Sequence, residues 1–318
     1  MDRVRRMIGC DLPEIIPYTG EGVYVAVLDS GVAAHPDIKD RIAAFKDFTN
    51  GKKPKGSKYI FYDDNGHGTH VCGIVAGNGA ASNGKYRGIA YKSRIICGKV
   101  LDKKGGGSLK NLLQGLEWIL ELRNKFSIRI LNISIEMDSE ENLNQEELQL
   151  LRQYFELLWK ENILIVVAAG NRGPNPMTLS PLGECGSCIC VGCNDGEYIG
   201  KNGRSCSDYS GRGPGKEISA IGVVNPLKKP DIVAPGTDII SCNNKYNIAP
   251  YISKSGTSMS APIVSGACAL CLQKYPDITN TELRRMIINT AKDLGKSWSI
   301  QGAGMLQINE LIIQKKLV

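Results

Sequence analysis

Three short segments carry residue types that can act together on an acyl group. Gly256-Thr257-Ser258-Met259-Ser260-Ala261-Pro262 sets a serine at the mouth of an apolar stretch, and Asp29-Ser30-Gly31 and His67-Gly68-Thr69-His70 supply a carboxylate and imidazoles. A hydroxyl is a poor nucleophile at neutral pH. It needs a base to take its proton and a third group to orient and charge-balance that base. Ser258, His67 and Asp29 offer those three roles. The chain has three histidines, His35, His67 and His70, so an imidazole base is one of them. Taken singly, each residue has an ordinary reading: a strand-end turn, a structural histidine, a helix cap. The seven-residue run around Ser258 is harder to read that way.

These groups must be held by regular elements, and the pattern shows which. Residues 22–28, 94–100, 128–135 and 163–169 are short apolar runs, too continuous for half-exposed strands, and they read as strands buried on both faces. Helical spacing follows Ser108 over 109–124 and Asn144 over 145–160, each with a capping residue at its start. Alternating strands and helices predict an α/β fold, a parallel β-sheet flanked by helices on both faces. Asp29 falls at the carboxyl end of the first strand, where parallel sheets gather functional groups, and Gly31 lets the chain turn sharply there. His67 and His70 open a small apolar segment, 71–77, that reads as a buried helix. Gly256 permits close backbone approach, and the helix predicted over 258–274 leaves N–H groups and a partial positive charge beside the Ser258 hydroxyl. Such groups stabilise an oxyanion. Further helices are expected over 279–290 and after Met305.

The totals fit a globular chain. Of 318 residues 42% are hydrophobic and 22% charged, enough for a developed core, and no apolar run is long enough to span a bilayer. No linker or repeat divides the chain, so 1–318 reads as one domain, with 201–230 as a hairpin-like surface excursion. The basic start, Met1 to Arg6, is not followed by the apolar stretch of a secretory signal, which makes the cytoplasm the expected location, non-classical export staying open. The net charge of +7 is spread along the chain, with its densest basic pieces in turn-like sequence, a solvated surface and no nucleic-acid platform. No membrane partner is expected, and oligomeric state is not legible.

Eleven cysteines include Cys185, Cys188, Cys190 and Cys193 in a CxxCxCxxC pattern that suggests a metal centre. Read as a strand over 187–194, the same pattern puts Cys188 and Cys190 on one face and Cys193 on the other, poor geometry for one ion. The expectation is no metal there, buried thiols as small hydrophobes, and no disulfides.

The ordered motifs resemble those of the subtilisin family of serine peptidases. The likeness runs from about Ile8 to the C-terminus. Val25 to Gly31 is similar to the aspartate block, Asn65 to Val71 to the histidine block and Gly256 to Pro262 to the serine block; Val167-Ala168-Ala169-Gly170-Asn171 and Lys229 to Gly236 match two further segments. The order Asp, His, Ser separates this family from other serine hydrolases, and no GxSxG elbow surrounds Ser258. The resemblance implies endopeptidase activity on a polypeptide substrate through an acyl-enzyme: Ser258 as nucleophile, His67 as base and then acid, Asp29 as its orienting carboxylate, Asn171 and the Ser258 N–H as the oxyanion site. It leaves His70 structural.

The resemblance further implies that Gly105, Gly106 and Gly107 form one edge of a substrate cleft, with Ser134, Ile135, Glu136 and Gly170 along the other. Glu136 and Met137 depart from the pattern of two glycines that many members of the family have there, and about seven extra residues lie between this strand and the next helix. The Glu136 carboxylate either lines the primary pocket, favouring a basic residue before the scissile bond, or turns to solvent with the acidic run 138–141. Leu179 would shorten that pocket. No cofactor is required; calcium is the ion the family raises, through Asp37, but the loop 78–86 lacks the usual ligands. The family-like part starts within about ten residues of Met1, without a large inhibitory prosegment. Other readings stay open: a peptide-binding pseudo-protease, a latent partner-activated protease, an esterase, or a metal or redox protein built on the cysteines.

Overall fold

The computed structural model describes residues 1–49, 51, 58–136, 145–218 and 224–313. Its centre is a seven-stranded parallel sheet. In chain order the strands are β1 (Tyr24–Asp29), β2 (Ile42–Asp47), β3 (Arg94–Lys99), β4 (Ile130–Ile133), β5 (Leu164–Ala168), β6 (Ile189–Cys193) and, after the hairpin of β7 (Gly215–Ile218) and β8 (Val224–Leu227), β9 (Ile232–Ala234). Their spatial order is β2-β3-β1-β4-β5-β6-β9.

Side-chain alternation explains why these runs lack polar positions. Val25 and Val27 of β1, Leu164 and Val166 of β5, and Ile189 and Val191 of β6 enter one core. Their neighbours Ala26, Leu28, Ile165, Val167 and Cys190 enter a second core on the opposite face. The second core is closed by α3 (Leu109–Phe126) and α4 (Gln145–Lys160), through Leu116 and Ile119 of the one and Leu151, Phe155 and Leu158 of the other. The Ser108 side chain accepts from the Asn111 N–H at the start of α3; Asn144, the cap expected for α4, lies outside the described residues. Both helices carry polar residues outward, as one-sided burial requires.

The first core is closed by α2 (His67–Ala76) and α5 (Thr257–Lys274). Helix α5 is buried on nearly all sides and carries Pro262 inside its second turn, where the missing N–H leaves the Ser258 carbonyl without its helical donor. The helices α1 (Asp2–Met7), α6 (Asn280–Asn289) and α8 (Ile308–Ile313) pack against the same core, and α7 (Trp298–Gln301) follows α6. A hairpin of β10 (Ile239–Cys242) and β11 (Tyr251–Lys254) leads into α5.

Two fully buried lysines pin the ends of this sheet. Lys99 Nζ donates to the carbonyls of Ser30 and Leu101 and to Asp64. Lys229 Nζ donates to Asp231 at 2.6 Å and to the Cys188 carbonyl at 3.0 Å. Asp231 also accepts from the Cys190 N–H and from Arg284. A buried pair of this kind stabilises little on net, but removing one partner leaves an uncompensated charge and costs about 3–5 kcal/mol. Lys229→Met is therefore expected to lower the unfolding free energy by about that amount in chemical denaturation. A loss under about 1 kcal/mol would mean that Arg284 and the Cys190 N–H hold Asp231 on their own.

Candidate active site

Asp29 ends β1 with no exposed surface, and the chain turns at Gly31, whose φ is +114°. Asp29 Oδ1 accepts from its neighbouring Ser30 N–H at 2.7 Å and from His67 Nδ1 at 2.7 Å. That contact requires α2 to start hard against the strand end. A Cβ at Gly68 would stand 2.2 Å from the Gly31 carbonyl oxygen, so only glycine fits. The Ser30 hydroxyl closes the junction, accepting from the Gly68 N–H and donating to Asp63.

Asp63 is a residue the sequence reading did not single out. Its carboxylate accepts from the N–H groups of Asn65, Gly66 and Thr69 and from the Thr69 hydroxyl. It thereby takes the Gly66 and Thr69 N–H groups at the start of α2, the His67 N–H going to Asn65 Oδ1, and fixes the turn from which His67 projects. The Asp63-Asp64-Asn65-Gly66 run, an Asx-type turn before a helix, was the available signal.

With Nδ1 facing Asp29, Nε2 is the ring nitrogen left for chemistry. Burial works against the imidazolium, but the Asp29 charge and hydrogen bond outweigh it, and the His67 pKa is raised above the ordinary value. His70 is different. Its ring is buried and Nε2 bridges the Ile239 and Ile252 carbonyls, joining the β10–β11 hairpin. Burial pushes its pKa down to about 3, so it is a neutral structural ring.

Ser258 occupies the first turn of α5, half-buried, beyond Gly256, whose φ is +144°. Its hydroxyl makes no hydrogen bond among the described residues, so its alignment with His67 is left to the complex with substrate. Asn171 follows the carboxyl end of β5. Thr257 holds it: the Thr257 N–H donates to Asn171 Oδ1 at 2.9 Å, and the Thr257 hydroxyl donates to the Gly170 carbonyl and accepts from the Gly170 N–H. Because Oδ1 accepts from the Thr257 N–H, Nδ2 is left as the donor end of the amide. Thr257 was quoted in the sequence only as part of a motif.

The residues expected along the cleft edges have definite partners. Asp102 takes both backbone groups of Gly106 and the Gly105 N–H, leaving the Gly105 carbonyl and the Gly107 backbone groups without protein partners among the described residues. Ser134 is buried, its hydroxyl accepting from Asn132, whose Oδ1 accepts in turn from Ser265 of α5, so this side chain braces β4 against α5. Glu136 lies near Gly170 and is exposed, but its carboxylate is partnered. It forms an ion pair with Arg172 at 3.3 Å and accepts from the N–H and Nδ2 of Asn171. Leu179 is buried in the second core. The insertion and acidic run expected over 137–144 lie outside the described residues.

Asp37 does not fit calcium. Its carboxylate accepts from the Ala81 N–H at 2.9 Å and from the Tyr251 hydroxyl at 2.7 Å, and its other close neighbours are the Cys242 thiol and the His35 ring. Calcium takes oxygen ligands, whereas here a backbone donor and soft S and N groups surround the carboxylate. The cysteine run also divides. Cys185, Cys188 and Cys190 lie buried in the second core, while Cys193 lies in a separate cluster with Cys206 and Tyr209. Against the expectation of no disulfides, Cys193 and Cys206 are joined by one; the other nine cysteines are free and buried.

With this geometry in hand, likeness to known proteins is informative. Residues 20–304 match the model of the subtilase family. The chain is 37% identical over 302 residues to serine protease AprX of Bacillus subtilis (strain 168), covering 90% of this chain and 65% of that protein. It is 33% identical over 298 residues to an intracellular serine protease of Paenibacillus polymyxa, covering 91% of this chain and 80% of the relative. Subtilisin Savinase of Lederbergia lenta is 33% identical over 289 residues, with 91% and 90% covered. Among solved structures, the S41 psychrophilic protease superposes with a TM-score of 0.73 at 26% identity, covering 91% of this chain and 92% of that one. The match runs through every element that carries Asp29, His67, Asn171 and Ser258, and on these grounds the chain belongs to the subtilase family.

Proposed function

We propose that the protein is a serine endopeptidase in which Ser258 attacks the scissile carbonyl of a polypeptide. The observation that carries this reading is the 2.7 Å contact of a fully buried carboxylate with His67 Nδ1, which orients the other ring nitrogen as a base. His67 takes the Ser258 proton as the hydroxyl oxygen bonds to the carbonyl carbon, and the carbonyl oxygen becomes an oxyanion. Asn171 Nδ2, the donor end of an amide held by Thr257, and the Ser258 N–H at the start of α5 stabilise that charge. The imidazolium then gives its proton to the departing amine, leaving an acyl-enzyme that water hydrolyses by the same steps. Extended backbone of the substrate pairs with the Gly105–Gly107 and Ser134–Glu136 edges.

Because Arg172 and Asn171 occupy Glu136, its charge gives little preference for a basic residue before the scissile bond. Asp37 is a carboxylate satisfied by the protein's own donors, so no calcium is needed there. A cytoplasmic setting is supported by nine free thiols and by the named intracellular relative; the Cys193–Cys206 bond weighs against it, and cell fractionation decides.

Three outcomes are expected. A fluorophosphonate probe adds one phosphonyl group to the folded protein and none to Ser258→Ala, read by mass spectrometry, at the same rate after dialysis against EDTA as with added calcium. Folded wild type that stays unlabelled would sink the peptidase reading, and labelling rescued by calcium would sink the account of Asp37.

Catalysis needs neutral His67. Since its pKa is raised, kcat/KM is full at alkaline pH and falls as pH drops through a value above about 6.5. Asp29→Asn removes the attraction, moves that limb to lower pH and lowers kcat by about 10⁴-fold. A limb unmoved in this variant would exclude His67 as the titrating base.

On peptides differing only before the scissile bond, Lys and Leu are cleaved within about threefold of each other, and Arg172→Ala, which uncovers Glu136, raises the Lys:Leu ratio about fivefold. An unchanged ratio would mean that Glu136 does not face the substrate.

A further inference from the structure

We propose that Arg204 makes this site select an acidic residue on the leaving-group side of the scissile bond, an inference that rests on the peptidase reading. A cavity of about 310 Å³ adjoins the nucleophile loop, sharing Asn171 and Gly256 with the site and walled by Thr237, Tyr209, Asn202 and Arg204. It shares no lining residue with the Gly105–Gly107 or Ser134–Glu136 segments. The edges at Gly105–Gly107 and Ser134–Glu136 hold the acyl half of a substrate, so the half that departs is directed into this second cavity.

The cavity's charge is set by an arginine with an unused fork. Its backbone is held in a tight turn, the Gly200 N–H donating to the Arg204 carbonyl at 2.8 Å and the Arg204 N–H to Asn202 Oδ1 at 3.1 Å. Its guanidinium lies over the Tyr209 ring, 5.7 Å from the centroid, and has no ion pair among the described residues. Asp208 accepts from the Ser205 N–H and attracts Arg204 only through its field, without an ion pair, while Asp238 is engaged with Tyr198 and the Lys201 N–H, and Asp195 with Arg3. A guanidinium presents paired N–H groups that match a carboxylate, so Glu or Asp just after the scissile bond is the side chain this cavity recognises. The cavity is open to solvent, which keeps the effect modest.

The test is a set of internally quenched peptides with one common sequence before the scissile bond, and Glu, Gln or Lys at the first or second residue after it. Cleavage points are confirmed by mass spectrometry. Wild type is expected to favour Glu over Lys in kcat/KM by about fivefold at one of these positions, less at high salt. Arg204→Gln brings the ratio close to one, and Arg204→Glu inverts it. Equal rates in wild type, or a preference that both variants keep, would overturn the proposal. Fluorophosphonate labelling of each variant separates the two levels: protein that labels at Ser258 but does not discriminate loses only this inference, and wild type that does not label loses the peptidase reading and this one with it.

Discussion

Asp29 carries a carboxylate with no exposed surface at the carboxyl end of β1, and the rest of the site is arranged to keep it there. Burying such a charge costs several kcal/mol unless donors replace its lost water. The Ser30 N–H and His67 Nδ1 both converge on Oδ1. The imidazole can reach that oxygen only because Gly68 lets the first turn of α2 touch the Gly31 carbonyl. One steric allowance and one electrostatic debt thus fix the distance between β1 and α2. The same contact shifts the pKa of His67 toward the protonated form it adopts when it has taken a proton from a hydroxyl.

The partner half of the chemistry depends on a different kind of constraint. Helix α5 is buried on nearly all sides and runs under β4, β5 and β6, so its first turn has little freedom to shift. Asn132 of β4 and Ser265 of α5 share a buried hydrogen bond, and Thr257 ties the start of the helix to Gly170 and Asn171 after β5. Ser258 and Asn171 are therefore set together by α5, and His67 by the packed pair of β1 and α2, with both helices closing the same core.

Much of this was legible in the amino-acid order. Strands buried on both faces cannot alternate polar and apolar residues, so β1, β3, β4 and β5 showed as unbroken runs, and each reactive residue fell at a strand end or helix start that local rules identify. What escaped depends on where distant segments meet. Glu136 read as either a pocket charge or a solvent charge, because nothing local shows that Arg172 comes back beside it. Cys193 and Cys206 are 13 residues apart in no recognisable pattern, and their pairing follows from the excursion that folds back over β6. Asp63 was missed for another reason: its cap bonds span an irregular turn, where a template of one residue before a helix looks in the wrong place. Lys229 could be seen as part of a motif, but its role as the counter-charge of Asp231 could not.

The nucleophile loop has a further support that reaches from the opposite end of the chain. Gly256 donates its N–H to the Gly236 carbonyl at 2.9 Å. The N–H groups of Gly236 and Thr237 in turn donate to Asp195, and Asp195 pairs with Arg3 of α1 at 2.7 Å while Arg3 also donates to the Thr237 carbonyl. The Cys193–Cys206 bond lies against the same carboxylate and against Thr237. A buried charge with several partners tolerates little displacement, because moving it strands them together. The segment before β1 is therefore part of the scaffold of the candidate site: the charge on Arg3 keeps Asp195 in place, Asp195 keeps the 236–237 turn in place, and that turn positions the backbone from which Ser258 emerges.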